Sequence, residues 1–155
     1  MTGDGKETIE ERLDLQSQLS DLARVPDWIE RLASQYSIPS SLQFSVNLCL
    51  EEVLANIILH GHSSEADQGI CIKFVNPREN YFLFIVEDHA PAFDPVNAPE
   101  LPPLCPPDLG RVGGQGIRLL RRFADALKYE PLPNGNRLSM GFSTAHVDVE
   151  SRNSL

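Results

Sequence analysis

The sequence predicts an α+β fold, a two-layer α/β sandwich in which helices cover one face of a mixed, mostly antiparallel sheet. Two hairpin patterns and one long helical pattern lead to that class. "QGICIKFVN" and "YFLFIVED" are strand-like runs joined by "PREN", where Pro77 and Asn80 supply turn chemistry, so the two strands run antiparallel. "ALKYEPL" and "NRLSMGF" make a second pair about a turn at "PNGN". "IPSSLQFSVNLCLEEVLANIILHG" is too long for a strand and carries apolar residues at helical spacing, as a central core helix would.

The elements follow in order. Residues 1–10 hold acids and no apolar stretch and read as a disordered N-terminus. "ERLDLQSQL", Glu11 to Leu19, alternates Leu13 and Leu15 with polar residues, the pattern of a first strand with one wet face. "VPDWIERLASQY" switches to helical spacing, with Pro26 tolerated in the first turn and Leu22, Trp28, Ile29 and Leu32 as its buried side. The long helix takes Ser40 or Ser41 as cap and Gly61 as stop, with Leu42, Val46, Leu50, Val53 and Ile57 along one stripe. "YFLFIV" is apolar on both faces, which fits an interior strand covered on both sides or partly covered by a partner. From Ala90 to Val112 the chain holds seven of its twelve prolines and no periodicity, a loop in the length class of functional lids or disordered segments. "GGQGIRLLRRFADALKYE" then opens a helix with Ile117, Leu120, Phe123, Ala124 and Leu127 inward. The last two strands follow, and residues 144–155 form a polar tail.

Composition narrows the function. A chain of 155 residues, 41% hydrophobic, supports one domain with a real core. Its formal charge of -9 leaves no basic stripe for phosphate backbones, which disfavours nucleic acid and anionic membrane as partners. The longest unbroken apolar run is far short of the roughly 20 residues a bilayer span needs, and the N-terminus is unlike a secretory signal, so a cytoplasmic location is expected. Cys49, Cys71 and Cys105 are odd in number and lack C-x-x-C spacing, against both a disulfide framework and a zinc site. His60 and His62 form H-x-H without a third ligand at metal spacing, and read as structural.

Three segments can carry chemistry. On the long helix Glu52 and Asn56 are four apart and share one flank, while Glu51 points away from the apolar stripe. The pair is either a half-exposed acid beside a locally bridging amide, or a general base beside a ligand for a hard cation. Gly110, Gly113, Gly114 and Gly116 either hinge the proline-rich loop or let backbone approach phosphate oxygens at a helix N-terminus. Asp88, ending a strongly apolar strand, either starts a turn or accepts from a ligand amine such as that of adenine.

Taken in order, "EEVLANIILHG", "VEDHAPAFDP" and "GGQGIRLL" resemble the N, first glycine and second glycine boxes of the GHKL ATPases, whose domain is histidine-kinase-like, and most closely the bacterial anti-sigma factor serine/threonine kinases. The likeness covers residues 11–143 and implies a Bergerat-type ATP-binding fold with a lid at about 91–112. It also implies ATP and Mg2+ as cofactors. Glu52 matches the general base that takes the serine proton, Asn56 the Mg2+ ligand, and Asp88 the adenine-reading carboxylate. Gly113, Gly114 and Gly116 match the phosphate-facing glycines, Arg111 the lid arginine that meets the γ-phosphate, and Ala90, Phe93 and Ile117 complete the nucleotide contacts. "NRLSM" near Asn136 resembles the family's last strand without an assigned contact. The first glycine box departs from D-x-G in reading Asp88-His89-Ala90, and an alanine forced to positive φ costs on the order of 1 kcal/mol.

The implied function is phosphorylation of a serine on an anti-sigma factor antagonist by a homodimeric protein that also sequesters a sigma factor. A nucleotide-regulated partner-switching protein without kinase turnover is the alternative. The catalytic domain of a histidine kinase fits less well, since no phospho-accepting helical hairpin precedes it in this sequence. A purely structural reading has to explain three motifs as separate coincidences.

Overall fold

The computed structural model describes residues 8–60, 69–91, 94–96 and 114–144. Five strands form one sheet: β1 (Glu11–Leu15), β2 (Ile70–Arg78), β3 (Tyr81–Asp88), β4 (Ala126–Leu132) and β5 (Gly135–Ser143). Their spatial order is β1-β2-β3-β5-β4, and all four pairings are antiparallel, so the sheet has no parallel pair among the described residues. Helices α1 (Arg24–Tyr36), α2 (Ser40–His60) and α3 (Gly114–Phe123) make the second layer. After β3 the chain forms α3 and returns as the far edge strand β4. The hairpin at Pro133 and Asn134 then inserts β5 between β4 and β3.

Period two decides which side chains enter the core. Ile70, Ile72 and Phe74 of β2, Phe82, Phe84 and Val86 of β3, and Leu138, Met140 and Phe142 of β5 are buried under the helices. Phe84 lies at the centre, 5.1 Å from Phe74, 6.1 Å from Phe142 and 6.2 Å from Trp28 between ring centroids. The opposite face carries Tyr81, Leu83 and Ile85 beside an ion-pair row in which Glu87 meets both Lys73 and Arg137. No described element covers that face, and a groove of about 650 Å³ runs over Val75, Leu83 and Ile85.

Several boundaries differ from the sequence reading for local reasons. β1 stops at Leu15, because the Gln16 amide donates to Asp21 Oδ2 at 2.7 Å and the chain turns into a 3-10 segment, Leu19–Ala23. At the start of α2 the Gln43 amide donates to the Pro39 carbonyl, so Pro39 holds the cap position and Ser40 and Ser41 lie inside the first turn. Deep burial along α2 passes through Cys49, Leu54 and Ile58 as well as Leu42, Val46, Leu50 and Val53, and Ile57 is only partly buried. By length and hydropathy (1.4 over Ser40–Leu59) α2 could cross a membrane, but this row of residues makes it the core helix of the sandwich. α3 ends at Phe123, and Leu127 packs on the core from β4 instead. The first hairpin turns at Glu79 and Asn80, with Asn80 at φ 62°, while Pro77 sits at an irregularity in β2.

Gly135 shows how tightly β5 meets β3. A Cβ there would stand 1.8 Å from the Asp88 carbonyl oxygen, a backbone atom that cannot swing aside. Gly135→Ala is therefore expected to destabilise the protein by about 1–3 kcal/mol. Urea unfolding checks this: the midpoint should fall, and an unchanged midpoint would mean that β5 has room to shift.

Candidate functional site

Asp88 occupies the last inward position of β3. Its row is Phe82, Phe84, Val86, Asp88, so the carboxylate points to the helix-covered side and is 6% exposed. An ionised group there needs partners. It has two on one oxygen: Asp88 Oδ1 accepts from Asn136 Nδ2 at 2.9 Å and from the Ala90 amide at 2.8 Å. Burial pushes the Asp88 pKa up, and these two bonds and the charge of His89 act against it. The Ala90 bond is an Asx turn, so the turn-starting role is realised at the same residue that was matched to ligand reading. Ser37 and Asn80 are the only non-glycine residues at positive φ among those described. Ala90 is therefore in an ordinary conformation, and replacing the expected glycine costs the backbone nothing.

The second feature is the flank of α2. Cys49, Glu52 and Asn56 stand at i, i+3 and i+7 and so share a face. Cys49 Sγ approaches the Leu119 carbonyl at 4.0 Å, which turns that face toward α3. Burial, then the nearby charge of Glu52, pushes the Cys49 thiol up to about 12, so it is an inert packing residue. Glu52 itself is partly buried and its pKa is raised, first by burial and then by the charge of Glu51. Glu51 is exposed, as expected, yet it acts on Glu52 through its field.

Asn56 Oδ1 is buried and has no hydrogen-bond partner among the described residues. Trp28 Nε1 and Asn47 Oδ1 share that condition, so an orphaned atom alone marks no site. Asn47 is nine residues earlier, which at roughly 100° per residue places it on the opposite flank of α2. Only Asn56 stands beside a lifted carboxylate on the face turned to α3. A carboxamide oxygen suits a hard cation. Among the described residues no group of three or more His, Cys, Asp or Glu could hold a metal, so an ion at Asn56 would take its other oxygens from phosphate and water.

Gly114, Gly116 and Ile117 lie in the first turn of α3, and the backbone N–H groups of a helix's first turn suit an anion. Phe93, Arg111 and Gly113 lie outside the described residues. Of the loop that precedes α3, Asp94–Val96 is described: Val96 packs against the core and Arg121 Nη2 donates to its carbonyl at 2.9 Å. Sequence reasoning left Asn136 without a contact and did not single out Tyr129 or Gly135. The signal for Asn136 was present, since it begins the period-two row Leu138, Met140, Phe142 as Asp88 ends the row on β3.

Comparison with known proteins places the fold in a family. The profile described as "Histidine kinase-like ATPase domain" matches residues 15–142, and the chain belongs to that family. Among curated proteins it is similar to the serine/threonine-protein kinase BtrW of Bordetella bronchiseptica, 32% identical over 124 residues that cover 80% of this chain and 84% of that one. Among solved structures it resembles the RsbU and RsbW domains of Rv1364c from Mycobacterium tuberculosis, at TM-score 0.62 and 10% identity, over 86% of this chain and 31% of that one. The blue-light activated histidine kinase of Erythrobacter litoralis EL346 aligns at TM-score 0.57 and 15% identity, over 84% of this chain and 42% of that one. The chain thus spans less than half of either solved protein, and these two likenesses establish the fold alone.

An unsatisfied buried carbonyl costs on the order of 1–3 kcal/mol. Asn56→Ala should therefore raise the thermal midpoint of the ligand-free protein and reduce any stabilisation that added Mg-ATP confers. Scanning calorimetry with and without Mg-ATP checks both signs, and a lower midpoint without ligand would show that Asn56 is structural.

Proposed function

We propose that this chain is a cytoplasmic serine/threonine kinase of the anti-sigma factor type, holding Mg-ATP between the Glu52 and Asn56 flank of α2 and the N-terminus of α3. The observation that carries the proposal is the buried Asn56 Oδ1, without a hydrogen-bond partner among the described residues, one helical turn from a carboxylate whose pKa is raised. The 32% identity to a protein named as a serine/threonine kinase supports the choice of phosphoryl transfer to a hydroxyl.

The roles follow from chemistry. Glu52, lifted by burial, would accept the proton of a serine hydroxyl on the partner protein as that oxygen bonds to the γ-phosphorus and the bond to the bridging oxygen of ADP breaks. Asn56 would hold Mg2+, which when bound offsets the negative charge of the phosphates. The opening turn of α3 at Gly114 and Gly116 would receive phosphate oxygens on backbone N–H groups. Asp88 would read the adenine amine, with Ala90, Phe93 and Ile117 beside the base, and Arg111 would meet the γ-phosphate from the lid. The substrate is an anti-sigma factor antagonist, and the same protein would sequester a sigma factor and work as a homodimer. The apolar face of the sheet at Leu83 and Ile85, which no described element covers, supports such association.

The test is transfer of label from [γ-32P]ATP to the antagonist, with wild type beside Glu52→Gln. Losing a general base is expected to slow transfer about 100-fold or more with nucleotide affinity retained. Equal transfer would remove Glu52 as the base. Saturable ATP binding without transfer by either protein would leave a partner-switching binder in place of the kinase.

A further inference from the structure

One polar chain reaches the buried carboxylate from the far edge of the sheet, through residues outside all three motifs. Tyr129 on β4 donates its hydroxyl hydrogen to Asn136 Oδ1, and Asn136 on β5 donates from Nδ2 to Asp88 Oδ1 on β3. The strand register makes this possible, since Asn136 pairs directly with Asp88. Asn136 Nδ2 also lies 3.1 Å from the Ala90 carbonyl and 3.2 Å from the Pro91 carbonyl.

A carboxamide nitrogen carries two hydrogens and accepts nothing, so three oxygens around one end of the amide identify that end as the NH2 group. The other end, Oδ1, then has to face β4, where the Tyr129 hydroxyl meets it as a donor. The torsion that turns an aspartate carboxylate is soft, and one hydrogen bond restrains it weakly. Here Oδ1 takes two, from Asn136 and from the Ala90 amide, so turning the group would break both. The same amide nitrogen ties the Ala90 and Pro91 carbonyls, which joins the orientation of the carboxylate to the start of the loop after β3.

We infer that Tyr129 and Asn136 are positioning residues that fix the Asp88 carboxylate by one oxygen so that the other is presented to an exocyclic amine of the ligand. This rests on the proposed ATP binding and adds the device that makes the site choose a 6-amino purine. Asn136 acts on Asp88 directly, and Tyr129 acts through Asn136.

The experiment compares the affinities of ATP and of purine riboside triphosphate, which lacks the 6-amino group, for wild type, Tyr129→Phe, Asn136→Leu and the double variant. The preference for ATP is expected to fall about tenfold in Asn136→Leu and about threefold in Tyr129→Phe. Adding Tyr129→Phe to Asn136→Leu should cause no further loss, because the hydroxyl works through the amide. Parallel weakening of both nucleotides with the preference unchanged is the mark of a merely structural role and would overturn the inference alone. Failure of the wild type to bind either nucleotide would overturn the ATP reading, and this inference with it. If Asn136→Leu does not fold, Tyr129→Phe, which removes one oxygen atom, decides: an unchanged preference overturns the inference.

Discussion

Burial at the inner end of a core strand pushes the pKa of a carboxylate up, and the bond from Asn136 Nδ2 to Asp88 Oδ1 is the first of the interactions by which this fold works against that cost. Much of the architecture answers to that contact. β5 must lie beside β3, which requires the hairpin to insert it inside β4. Gly135 must lack a side chain so that the strands close at this end. Tyr129 must reach Asn136 from the edge strand. The apolar rows of β3 and β5 fill the core under α2, and each places its one polar member at the same end of the sheet.

α2 applies the opposite principle. Its buried row holds the sandwich together, while its flank leaves Asn56 Oδ1 without a partner among the described residues and Glu52 partly desolvated. Neither choice favours the free protein, and side chains that serve stability alone would not be set this way. The two ends of the site thus differ in state. At the Asp88 end one carboxylate oxygen is held by two hydrogen bonds, whereas at the Asn56 end the amide oxygen has no hydrogen-bond partner among the described residues.

The sequence carried the sheet and the helices wherever a period was clean. β4, β5 and the span of α2 were legible because turn residues and alternation agreed, and Glu52 with Asn56 because four residues is one helical turn. What was not legible depended on distant partners. Ser40 and Ser41 are good capping residues, but the chain direction at Pro39 put the cap one residue earlier. Ile57 fits an ideal stripe, yet packing along the sheet brings Ile58 and Leu54 inward. Asn136 shows the limit most clearly. Its inward parity could be read from the row it begins, but its partnership with Asp88 needs the strand order, which no local pattern contains. The conformation of Ala90 was equally hidden until its amide was found in the Asx turn.

Calorimetric titration of the wild-type protein with ATP, in Mg2+ and again in excess EDTA, tests the central claim most directly. The account predicts saturable binding at one site per chain, tighter in Mg2+ than in EDTA, because the role proposed for Asn56 would act through the metal. No saturable heat in either buffer would contradict it.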